Sequence, residues 1–223
     1  MIRSSAVSAL SSHASAFERD AHRRIRRGVY GMAVGLVALV VGATAPQSDA
    51  FLSTAFAGDQ LAISASEGLQ VATSAALAWA DDAELVYVEN DEDLGAAGQA
   101  PRWGYLFRST QRGRCRSYSL SFDGGAAKVL QARDLDFDFD APPLPTQWVD
   151  SAAALLSADD AGGRDYCRKH QGRLSSMVLL RGAFHPQRPD MSTWTVVYTS
   201  PDAPSFYVLL DASSGHAVRT WRG

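Results

Sequence analysis

The side chains able to do chemistry are few and dispersed along the chain. A nucleophilic hydrolase needs a Ser or Cys, a His base and an orienting acid brought together. Of the five histidines, His13 and His22 sit near the N-terminus, His170 beside Lys169 on a polar stretch, His185 in a Pro-rich run and His216 next to a turn. No Gly-x-Ser-x-Gly, His-Glu-x-x-His or phosphate-loop pattern occurs. Cys167 and His170, three positions apart, could share a helix face and bind a metal or activate the thiol. A packed or disulfide-bonded thiol beside a surface histidine explains the same pair with fewer demands. Asp134, Asp136, Asp138 and Asp140 alternate and could supply oxygen ligands to calcium, yet the Gly turn and closing Glu of a calcium loop are missing. Asp81-Asp82 and Asp159-Asp160 read as helix ends rather than acid–base pairs. Trp148, Trp194 and Trp221 could line a ligand groove, although aromatics at alternate strand positions are core-forming. The sequence therefore predicts no catalytic, cofactor-binding or metal-ligating residue, and a protein that is not an enzyme.

Two features remain as candidate contact or cross-link sites. Cys115 and Cys167 lie 52 positions apart in different halves of the chain, and in an oxidising compartment a bond between them would staple the halves together. Arg112, Arg114 and Arg116 recur at every second position, so strand alternation puts them on one side of a hairpin tip, a possible partner contact. The chain as a whole carries a net charge of −3 with pI ≈ 5.9, which argues against nucleic acid as the partner.

Export is the clearest message of the N-terminal region. Arg23-Arg24-Ile25-Arg26-Arg27 precedes an uncharged apolar run, 28–45, followed by small residues and Pro46. A basic segment, an apolar segment and an Ala-x-Ala-like exit mark a secretory signal. Residues 1–57 read as this leader. Cleavage places the rest in the periplasm or outside the cell; retention would leave an inner-membrane anchor, the only route by which the chain would meet a membrane.

The elements beyond the leader repeat a grammar. Leu69, Ala72, Ala76 and Trp79 have helical spacing, and strands follow at 85–88, 103–109, 118–122 and 126–131. After an Asp/Pro joint at 134–145, whose Leu135, Phe137 and Phe139 are expected to pack down while its carboxylates stay solvated, Asp150 caps a second Ala-rich helix. Gly162-Gly163 breaks it, Arg164 to His170 makes another turn, and strands follow at 175–180, 193–199, 206–211 and 216–221. Trp103-x-Tyr105-x-Phe107 can be laid over Trp194-x-Val196-x-Tyr198, and Tyr118-x-Leu120-x-Phe122 over Phe206-x-Val208-x-Leu210.

Asp150-Ser151 opening an Ala-rich helix, Gly162-Gly163, Thr193-Trp194-Thr195-Val196 and Asp211-Ala212-x-x-Gly215 resemble the PepSY-like domains of exported bacterial proteins. The resemblance covers 146–221 well and 69–131 more loosely, the first half lacking the Gly-Gly break. It implies a cystatin-like α+β fold, with two tandem small domains (64–133 and 146–223), each a helix packed on an antiparallel sheet. It also implies a non-enzymatic binding or inhibitory role toward another envelope protein, such as a peptidase. A small apolar or glycan ligand, held between helix and sheet or between the domains, is the alternative. No site residue comes with the resemblance.

Overall fold

The computed structural model describes residues 61–123, 125–135, 139–182 and 188–223. The leader and its apolar run, 28–45, lie outside them, as do Asp136, Phe137, Asp138 and His185. The first half is a helix, α1 (Leu69–Trp79), and four strands, β1 (Glu84–Asn90), β2 (Arg102–Ser109), β3 (Arg114–Asp123) and β4 (Ala126–Asp134). The second opens with α2 (Ser151–Ala158), continues through a kinked link (Asp159–Gly163) into α3 (Arg164–His170), and adds β5 (Arg173–Arg181), β6 (Ser192–Thr199), β7 (Phe206–Asp211) and β8 (Ala217–Arg222). Gly162 makes the kink with φ of 124°, a conformation open to glycine at little cost. The Gly pair therefore bends the helix rather than ending it. Among the described residues no helix is long and apolar enough to cross a membrane.

All eight strands form one antiparallel sheet in the order β4-β3-β2-β1-β5-β6-β7-β8. This corrects the expectation of two tandem helix-on-sheet domains. β1 and β5 pair directly, Tyr87 opposite Leu180, Val88 opposite Leu179 and Glu89 opposite Val178. Periodicity reveals which face of a strand is buried and says nothing of which edge finds a partner. Each half ends its meander on an unpaired first strand, and joining those two edges satisfies both rows of backbone donors and acceptors at once. The overlay of the halves also slips in detail. Trp103 faces Leu120 and Trp194 faces Leu210, so the third strands are two residues out of step with the sequence match.

The helices cover one face, where residues of both halves build a single core. Trp103, Tyr105, Phe107 and Leu120 pack in the same cluster as Met177, Leu179, Trp194, Val196 and Tyr198. Trp194 meets Trp103 edge-on at 6.3 Å and Trp148 at 5.7 Å. The indole N–H groups are satisfied by backbone, Trp103 donating to Ile63 O at 2.8 Å and Trp194 to Val149 O at 2.7 Å. The segment after β4 is a strap over the other face. Leu135, Phe139 and Ala141 lie on Val86, Tyr87, Leu106, Cys115 and Val178, a second apolar cluster. Leu144 then donates its backbone N–H to Leu85 O at 2.7 Å and turns the chain toward the helix face.

Candidate functional site

The arginine-bearing hairpin is built from its turn upward. Asp82, expected as a helix end, instead holds the β2–β3 turn: its carboxylate accepts from Ser109 Oγ at 2.5 Å, Thr110 Oγ1 at 2.9 Å and the Gln111 backbone N–H at 2.8 Å. These bonds, the Ser109 one foremost, pull its pKa down to about 2. The arginines then divide. Arg112 and Arg116 place their guanidinium carbons 5.5 and 5.8 Å from the centre of the Trp79 ring. Arg116 Nε also lies 3.5 Å from Asp134 Oδ1. Arg114 reaches Asp134 only at 4.0 Å and keeps 66% of its side-chain surface. Thus all three stay together at one end of β4, Arg112 and Arg114 exposed and Arg116 half-buried.

β4 itself is the outer strand on this side. Among the described residues it pairs with β3 alone, and eight of its nine residues are exposed. Val129 and Leu130 stand 37% and 49% exposed. Lys128, paired with Asp123 at 2.8 Å, and Arg133 add positive charge along it.

A second polar group lies mid-sheet on the face away from the helices. Glu89, Gly104 and Ser119 are aligned across β1, β2 and β3. The Asp91 carboxylate occupies the space that a Gly104 side chain would take, since a Cβ there would come within 2.6 Å of its Oδ1. It accepts a bond from the Ser119 hydroxyl. Glu89, half-buried, accepts from the Tyr87 hydroxyl at 2.7 Å. Loss of water outweighs these bonds, so burial pushes Glu89 up to about 7 and Asp91 above its ordinary value. Nothing in the sequence flags this group; only the register of three strands assembles it.

The other sequence candidates separate. Cys115 and Cys167 are not joined to each other, because they pack on opposite faces of the sheet. His170 packs against Tyr166, the rings tilted by 47° with centres 5.1 Å apart, and its Nε2 lies 3.2 Å from Arg222. Asp134 and Asp140 are taken by arginines, Asp140 by Arg108 at 2.7 Å. No cluster of three metal-ligating side chains occurs among the described residues. Trp148 and Trp194 belong to the core, whereas Trp221 stacks on Tyr207 at 5.0 Å in the β7–β8 pair.

No family model and no curated protein matches the chain. Among solved structures, one from Clostridium difficile 630, described as a "putative lipoprotein", is similar with 12% identity and a TM-score of 0.46, covering 70% of this chain and 93% of its own.

Proposed function

We propose that the chain is an exported, non-catalytic binding protein that takes an extended acidic segment of another envelope protein along the outer edge of β4. The carrying observation is that edge: a nine-residue strand without proline, paired on one side only among the described residues, with two apolar side chains in solvent. Outer strands are usually kept short or interrupted, because an open row of backbone donors and acceptors recruits another strand. Strand addition takes affinity from main-chain hydrogen bonds and selectivity from neighbouring side chains. Here those neighbours are Lys128, Arg133 and the Arg112–Arg114–Arg116 cluster, set against Asp123 and Asp134, which favours an acidic segment. The basic and apolar leader supports a periplasmic or secreted setting, and an envelope peptidase is the partner class to which the PepSY-like resemblance points. Capture from an envelope fraction by the full-length chain and by Leu130→Glu, run side by side, tests the reading. A protein retained by the first and lost by the second is expected. Equal retention by both, or none by either, overturns it.

A further inference from the structure

On the helix face a cavity of ≈ 320 Å³ opens between the β1–β2 loop of the first half and the start of the second. We propose that it binds a small zwitterion with an apolar body, the size of an apolar amino acid or dipeptide. The ligand's ammonium would meet Asp159 and Asp93, and its carboxylate Arg173. The site is independent of the β4 edge.

Three leucines, Leu94, Leu155 and Leu174, supply apolar lining for the body. Asp159 is fixed in place: its Oδ1 accepts the Tyr198 hydroxyl at 2.8 Å. The Tyr198 ring is itself buried and wedged against Gly163, where a Cβ would fall 2.2 Å from the ring. Burial first, and the Asp159 carboxylate second, push the phenol well above its ordinary pKa, so it stays a neutral donor and Asp159 an oriented acceptor. The other carboxylate oxygen, Oδ2, has Arg164 only at 4.0 Å, which leaves lone pairs for an ammonium group. Arg173 is exposed and forms no ion pair among the described residues, and its planar fork suits a carboxylate. Asp93 is likewise unpaired and exposed. Opposite charges at the mouth and leucines in the lining select a ligand that carries both charges close to a hydrocarbon group. The volume lies at the low end of small-molecule sites, about 300–1,000 Å³, too small for a folded partner or a glycan chain.

Isothermal titration of the full-length chain with L-leucine, L-phenylalanine and L-leucyl-L-leucine tests this, with N-acetyl-leucine amide as the uncharged control. At least one zwitterion is expected to bind, and the control at least about tenfold more weakly, since hydrogen bonds to charged groups carry that much or more. Arg173→Gln and Asp159→Asn are each expected to weaken binding about tenfold. Asp159→Asn alters the Tyr198 contact as well, so the exposed Arg173→Gln, checked for an unchanged melting temperature, decides. No heat from any zwitterion at millimolar concentration overturns the proposal. So does binding that Arg173→Gln leaves intact, or that the acetylated amide matches.

Discussion

Asp150 accepts the Ser66 backbone N–H at 3.0 Å, 84 positions away, on the same oxygen that caps its own helix through the Ser151 N–H at 2.7 Å. The adjacent Ser151 hydroxyl accepts from the Ala65 N–H at 3.0 Å. One Asp-Ser pair thus starts α2 and fastens the entry to α1. Asp150→Ala removes a cap and a long-range bond together, and is expected to cost about 2 kcal/mol. Chemical denaturation should show one lower midpoint for the whole sheet. An unchanged midpoint would mean that these Asp150 bonds add nothing to the β1–β5 pairing and the shared core.

Gly98 has φ of 69°, and a Cβ there would lie 2.7 Å from Ser151 O and 3.1 Å from Ala152 Cα. Both obstacles are backbone, so neither can swing aside. Gly98→Ala is expected to destabilise by about 2 kcal/mol or more, through the left-handed backbone and the clash combined. Thermal melting of the variant checks this directly.

The Glu89 carboxyl binds its proton more tightly in the folded chain, at about 7, than its ordinary value of 4.5. Native stability is therefore greatest at and below about pH 4.5 with respect to this group, falls as pH rises to about 7, and levels above. Asp91 acts in the same direction. Asp82 has the opposite sign: its contribution is complete above pH 3.8 and lost as pH falls toward 2. Glu89→Gln is expected to stabilise at pH 8 by about 1–2 kcal/mol, reduced for the water that still reaches the side chain, and to leave stability at pH 5 nearly unchanged. Denaturation midpoints at the two pH values test it.

The legible part of the fold was what periodicity encodes. Trp103, Tyr105 and Phe107 alternate onto the helix face, Asp150 caps its helix, and Gly215 takes φ of 73° in the last hairpin turn. Edges and register were not legible. Nothing in Leu85 to Val88 or Met177 to Leu180 distinguishes an open edge from a paired one, so the joining of the halves was missed. For the same reason Glu89 and Asp91 gave no signal, since Gly104 and Ser119 come from strands one and two places away. The Asp/Pro joint was readable in its apolar half: Leu135 and Phe139 do pack down, while Asp140 meets Arg108 instead of standing free.

The three tip arginines are expected to differ. Arg112→Ala and Arg116→Ala each remove a contact with Trp79, and Arg116→Ala also its approach to Asp134, with an expected cost of about 0.5–1 kcal/mol each. Arg114→Ala should leave melting within about 0.5 kcal/mol of the parent while weakening partner capture. Arg114 is thus the clean probe of the contact, and a triple substitution would confuse stability with binding.

Amide hydrogen exchange on the full-length chain, with and without the partner captured on it, tests the central claim most directly. Strand addition at β4 predicts that backbone amides within Ala126–Asp134 slow markedly on binding, by about tenfold or more, as an open edge gains hydrogen bonds. Those of β7 should keep their rates. Protection confined to the helix face or to the β7–β8 pair, with β4 unchanged, would contradict the account.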